Sequence, residues 1–220
     1  MIDSLMQEWM SSLVDGLIDC CAVKVAELNK SQEYFDFSTL KEPYRLEGKK
    51  TMGYEIAEQF NWMLPDVILY PTGGGTGLIG MWNAFHEMMN MGWISGPLPR
   101  MIAVQSANCP PVVNAFYNRP PAETVNSSIA YGLNVPKPFA MRLILEVLKE
   151  SKGDAVAITE DEIVKNTKKL IKQEGTFISP EGGSLLAALK KLLEENRIQR
   201  QEKVLLLNTG SGAKYLSCLE

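Results

Sequence analysis

Pro71-Thr72-Gly73-Gly74-Gly75-Thr76-Gly77-Leu78-Ile79-Gly80 follows directly on the apolar run Val67-Ile68-Leu69-Tyr70 and leads into the amphipathic segment Met81 to Met91. A short apolar run, a glycine cluster and then helical periodicity describe a strand, a tight turn and a helix start, so the chain must contain a βα unit here. At such a turn several backbone N–H groups lack helical partners and sit at the positive end of the helix dipole. Gly73, Gly74, Gly75 and Gly77 carry no Cβ to keep a ligand off the backbone, and Thr72 and Thr76 add hydroxyl donors, so the stretch suits an anion, a phosphate above all. An isolated Gly-Gly would read as a plain connection. Glycine at this density favours the phosphate.

The kind of phosphate follows from what surrounds the loop. Gly75-Thr76-Gly77-Leu78-Ile79-Gly80 satisfies the G-x-G-x-x-G dinucleotide pattern, but the next strand, expected at Met101-Ile102-Ala103-Val104, ends in Gln105-Ser106. No acid stands there to take the ribose hydroxyls, which weighs against a dinucleotide. No Gly-Lys-Ser/Thr closes the motif, which weighs against a nucleoside triphosphate. A single phosphate monoester is the better fit.

The rest of the composition narrows the class by exclusion. In 220 residues, 45% hydrophobic and 22% charged is the balance of a folded globular chain, and the formal charge of −4 argues against a nucleic-acid or anionic-membrane surface. No apolar run reaches membrane-spanning length and the first residues do not read as a secretory signal, so a cytoplasmic protein is expected. Cys20, Cys21, Cys109 and Cys218 contain no C-x-x-C, so reduced, mostly buried thiols are expected rather than zinc or disulfides. His86, the single histidine, sits mid-helix in this reading, which excludes a multi-histidine metal site and disfavours a serine-histidine triad.

Taken in order, the chain opens with helical spacing interrupted at Leu13 to Ile18, read as a strand end or turn, and continues as a helix from about Asp19 to Asn29. Ser31 to Lys50 reads as a crossing loop broken by Pro43, and Thr51 to Trp62 as a helix. Val112 to Tyr117 is a short helix; Asn118 to Lys137 is a long proline-bearing loop whose Ser127-to-Leu133 portion is a functional candidate. Then come a helix from Phe139 to Lys152 with Gly153 as its cap, a strand at Ala155 to Ile158, and a capping box at Thr159 to Glu162. That box opens a helix closed by Gly175. Thr176 to Ile178 reads as a strand turning through Ser179 to Gly183 into a helix from Ser184 to Asn196, and Lys203 to Leu207 as the last strand. Alternating strands and helices predict an α/β fold, a mainly parallel open sheet with helices on both faces. Ligands in such sheets sit outside the carboxyl ends of the strands, so Thr72 to Gly77, Ser179 to Gly183 and Asn208 to Gly212 are expected to converge on one pocket.

Lys41 to Glu55, Asp66 to Trp82, Ser128 to Ala140, Ser179 to Gly182 and Asn208 to Gly212 together resemble the threonine synthase family, pyridoxal-phosphate enzymes of the tryptophan-synthase-β-like fold. The resemblance implies that residues 51 to 220 are the C-terminal part of a cofactor-binding large domain and residues 1 to 50 a remnant of the smaller domain and a crossing loop. It implies pyridoxal phosphate held by Thr72, Gly73, Gly74, Gly75, Thr76 and Gly77, with Thr209 set against the pyridine nitrogen and Ser211 as second choice. A neutral partner there moderates the ring as an electron sink. Glu181 reads first as a helix-start carboxylate and second as a residue that orders the site.

The family keeps its Schiff-base lysine in a Ser-x-Lys-Asp-Arg type segment, and none occurs in this sequence; Lys41, Lys49 and Lys50 are assigned no such role. The resemblance is therefore to about the C-terminal half of such an enzyme, and the chain alone is expected to be inactive. The implied reaction converts O-phosphohomoserine and water to threonine and phosphate, in a homo-oligomer. The alternatives are another pyridoxal-phosphate lyase such as threonine dehydratase, and a non-catalytic, phosphate-binding or self-associating module.

Overall fold

The computed structural model describes residues 13–122 and 124–216. The helical spacing before Leu13 and the thiol of Cys218 lie outside the described residues. Four strands, β1 Val67–Pro71, β2 Arg100–Ser106, β3 Asp154–Ile158 and β4 Val204–Leu206, form one parallel sheet in the order β3-β2-β1-β4. The helices are α1 Ile18–Leu28, α2 Tyr44–Gln59, α3 Thr76–Asn90, α4 Pro111–Phe116, α5 Met141–Glu150, α6 Glu160–Glu174 and α7 Pro180–Glu194, with 3₁₀ turns at Tyr131–Leu133 and Gly212–Tyr215.

The strands are apolar at nearly every position because both faces of the sheet are covered, and the two-residue period sorts their side chains between two cores. Ile68, Met101, Ala103 and Ala155 face one way, against Leu78, Met81 and Phe85 of α3 and Ile144 and Leu148 of α5. Val67, Leu69, Ile102, Val104, Val156 and Ile158 face the other, against Ile163 of α6 and Leu185, Ala188 and Leu192 of α7. Each such large side chain, buried completely, contributes about 1.5–3 kcal/mol. The chain runs outward from β1 through β2 to β3, then returns along the opposite face through α6 and α7 to place β4 on the free side of β1. The order therefore reverses between β1 and β4, and the ends of those two strands flank the switch point where open α/β sheets bind ligands.

Several local expectations are corrected. The helix expected from Thr51 starts at Tyr44: Pro43 lacks only an N–H that a first turn leaves unused, and Glu42 Oε2 accepts the Arg45 N–H at 3.1 Å to close the end. Thr176 to Ile178 is no strand, only one antiparallel bridge between Ile178 and Ser211. Ser179 to Gly183 is likewise no free turn, because Pro180 is pre-set for a first helical position and α7 begins there. Of the two readings of the Leu13-to-Ile18 break, strand end or turn, the chain takes the turn, bending at residues 15–17, and the helix expected from Phe139 begins at Met141. After α5 the left-handed residue is Lys152, at φ 50°, not Gly153. The Thr159–Glu162 capping box and the left-handed cap at Gly175 form as the sequence predicts. Cys109 is buried but Cys20 is exposed. Among the described residues no helix is long and apolar enough to cross a membrane, and no group of three His, Cys, Asp or Glu side chains could hold a metal ion.

Candidate functional site

The glycine loop leaves β1 under tight control. Thr72 is fully buried; its N–H donates to Val104 O at 2.8 Å and its hydroxyl to Tyr70 O at 2.9 Å. Gln105, where a dinucleotide enzyme would carry its acid, is a strap instead. Its Nε2 donates to Thr72 O at 3.0 Å, while its Oε1 accepts from Val112 N at 2.8 Å and Val113 N at 3.2 Å, fixing the loop's first residue to the start of α4. Gly75 then takes the left-handed conformation, φ 83°, and stands at the cap position of α3. An L side chain is strained there, so this turn requires glycine. Gly73 is required for another reason: a Cβ on it would collide with the Gly132 carbonyl oxygen and come within 2.9 Å of Val135 Cγ2.

Gly73 to Gly77 form one side of a cavity of about 220 Å³. That is below the about 300–1,000 Å³ of pockets enclosing drug-sized ligands, and suits a smaller group. Tyr70 and Pro71 from the end of β1, Gly132 and Leu133 from the 3₁₀ turn, Glu181 from α7, Thr209 from beyond β4 and Lys49 from α2 complete its lining. Burial pushes the Tyr70 phenol above its ordinary pKa, so the hydroxyl on this wall is neutral. A cleft of about 430 Å³ between Pro110, Pro111, Pro121, Pro136 and Pro138 is mainly apolar.

Glu181 ties three of the walls together. Its buried carboxylate accepts from the Gly132 N–H at 2.8 Å and the Tyr215 hydroxyl at 2.7 Å through the same oxygen, and Tyr215 stacks on Tyr131 with ring centroids 5.2 Å apart. Glu181 also lies in the first turn of α7. The segment bearing Thr209 is held by Ser179 N to Gly210 O at 3.2 Å and Gly212 N to Phe177 O at 2.8 Å. Replacing Glu181 with alanine leaves two donors without their acceptor. The expected loss is about 2–3 kcal/mol in urea unfolding, with Glu181→Gln, which keeps an acceptor oxygen, retaining most of it.

The structure thus brings Gly73 to Gly77, Thr76, Glu181 and Thr209 to one cavity. Thr72 is not on its wall, and Ser211, whose hydroxyl accepts the Ala213 N–H at 3.3 Å, is not either. Ser128 serves the loop's own turn, its hydroxyl accepting from Ala130 N at 3.1 Å; the residues of that loop that reach the cavity are Gly132 and Leu133. Tyr70 and Pro71 are wall residues to which the sequence reading gives no site role, and Lys49 is one that it names and sets aside. Tyr70 and Pro71 carry a signal in the strand end itself, whereas Lys49 arrives only because α2 docks on α3.

A family model described as pyridoxal-phosphate dependent enzyme matches residues 10–210. The threonine synthase of Methanocaldococcus jannaschii is 36% identical over 210 residues, covering 91% of this chain and 50% of that protein. The threonine synthase of Methanosarcina acetivorans is 33% identical over 200 residues, covering 90% and 49%. The chain therefore spans about half the length of these curated relatives. Among solved structures, maize serine racemase superposes with a TM-score of 0.67 at 16% identity, covering 93% of this chain and 61% of that one. A threonine deaminase from T.th. gives 0.61 at 19% identity, covering 84% and 64%. These likenesses concern the fold. With the matched region taking in the whole sheet, the glycine loop and Thr209, the chain belongs to the pyridoxal-phosphate dependent enzyme family.

Proposed function

We propose that this chain forms the cofactor-phosphate side of a threonine synthase, a lyase that converts O-phosphohomoserine and water to threonine and phosphate. The observation that carries the reading is the meeting of the glycine loop and Thr209 on one small cavity, at the switch point of the sheet in a chain 36% identical to a threonine synthase.

The residues present fit pyridoxal phosphate. A Cβ on Gly74 would meet no atom within 4 Å, so the loop offers open space beside its backbone where an anion can approach. In this reading the N–H groups of the loop and the start of α3 hold the phosphate, and the Thr76 hydroxyl adds a donor. Thr209 offers the ring nitrogen a neutral hydroxyl, which leaves that nitrogen largely unprotonated. Glu181 keeps the Gly132 turn against the loop, and the half-buried, neutral Tyr70 lines the cavity without adding charge. When bound, the cofactor supplies the electron sink for carbanion chemistry on an amino acid.

Because the chain spans half of its relatives, the activity belongs to the whole enzyme, and the assay uses this chain together with the region the relatives carry beyond the match. O-phosphohomoserine should yield threonine and inorganic phosphate in equal amounts. Keto-acid release from threonine or serine, with no phosphate from O-phosphohomoserine, would assign the protein to the dehydratases instead. Thr209→Val should weaken cofactor binding about two- to tenfold, the worth of one hydrogen bond of about 0.5–1.5 kcal/mol.

A further inference from the structure

Of the lysines between α1 and the glycine loop, two are engaged. Lys41 pairs with Asp36 at 2.7 Å, and Lys50 with Glu47 at 2.6 Å and Glu87 at 2.7 Å. Lys49 has no ion pair or hydrogen bond to its ammonium among the described residues, and it lines the cavity of the glycine loop. We propose that the Lys49 ammonium binds a phosphate monoester dianion in this cavity, supplying the positive charge that the loop's neutral N–H groups lack; the inference rests on the pyridoxal-phosphate reading above.

Two features of the site carry this. The first is charge. The lining holds one carboxylate, Glu181, and one cation, Lys49. A dianion drawn to the loop meets a like charge at Glu181, and the ammonium of Lys49 on the same lining offsets it. The second is placement. A Cβ on Gly80 of α3 would lie 2.7 Å from Lys49 Cβ and 3.0 Å from its carbonyl carbon, so the backbone that carries Lys49 is seated directly on the helix whose first turn is the phosphate cradle. Lys49 also lines an adjoining cleft of about 320 Å³, shared with Tyr70 and Thr209. It stands where the cofactor's phosphate and a phosphate on the substrate could each come within reach.

The test uses deoxypyridoxine phosphate, a cofactor analogue without the aldehyde, so that no lysine can condense with it. Equilibrium dialysis compares it with unphosphorylated deoxypyridoxine on the wild-type chain, Lys49→Met and Lys49→Arg. Lys49→Met should weaken the phosphorylated analogue about tenfold and leave the unphosphorylated one unchanged, while Lys49→Arg stays within about threefold of wild type. Unfolding midpoints of the three proteins should coincide. A second arm titrates O-phosphohomoserine into protein saturated with the analogue; a weakening confined to this arm in Lys49→Met assigns the ammonium to the substrate's phosphate. Wild-type binding with no change in either arm overturns the role of Lys49 alone. No binding of the analogue by the wild-type chain overturns both this and the reading of the cavity.

Discussion

Gly74→Ala should weaken pyridoxal phosphate binding by about a hundredfold or more and at the same time make the protein slightly more stable. A Cβ at this position meets nothing within 4 Å and the backbone φ is not positive, so the folded chain accepts alanine without strain. The substitution then acts through the unfolded chain, which loses conformational freedom, a gain of about 0.4–1 kcal/mol. The methyl group nevertheless enters the space beside the N–H groups that the phosphate must approach. Loss of two such charge-assisted bonds, each worth about 1.5–3 kcal/mol, lowers affinity by about a hundredfold or more. Dialysis against pyridoxal phosphate and urea unfolding of the same samples give both numbers. Unchanged affinity would remove the loop from the phosphate site. Gly73→Ala provides the contrast, since its Cβ collides with the Gly132 carbonyl oxygen and should cost stability as well as binding.

How far this site can be read from sequence depends on the range of the interactions that make it. The strand, the glycines and the helix after them are contiguous, and β1 appears within one residue of its expected limits, while α3 begins at Thr76, five residues before the expected amphipathic segment, because the turn closes already at Gly75. The capping box of α6 is equally local, written in Thr159 and Glu162 alone. Errors begin where a short segment has two local solutions. Thr176-Phe177-Ile178 has strand propensity but lacks a partner strand, and Pro180 begins a helix before pairing can extend. Lys49 and Gln105 show the further limit. Nothing near Gln105 in the sequence indicates that its amide bridges Thr72 and Val112, and nothing near Lys49 indicates that Gly80 brings it to the cavity. A sequence motif reports the backbone that binds; the side chains that complete the wall come from docked helices.

Gly153 carries the second large effect, and it separates the local reading from the tertiary one. If Gly153 were the left-handed cap of α5, asparagine would replace it at small cost. The left-handed residue is Lys152, however, and the reason for glycine at 153 is contact: a Cβ would collide with the Met101 carbonyl oxygen and lie 2.8 Å from Ser151 Oγ and 2.9 Å from Met101 C. Met101 belongs to the central strand β2 and has little freedom to move, since its N–H donates to Ser151 Oγ at 3.2 Å. The neighbouring register of Ile102 opposite Asp154 would have to open for the methyl group to fit. Gly153→Ala and Gly153→Asn should therefore both cost about 3 kcal/mol or more, from overpacking and strained ladder hydrogen bonds. In a chain of this size that lowers the melting temperature by about 6–12 °C. Lys152→Gly should do the opposite and gain about 1 kcal/mol, because it relieves a side chain from a left-handed backbone. Gly153 lies at the amino end of β3, across the sheet from the glycine loop at the carboxyl end of β1. Below the unfolding transition the two Gly153 variants should accordingly bind pyridoxal phosphate as the wild type does, the reverse of the outcome at Gly74.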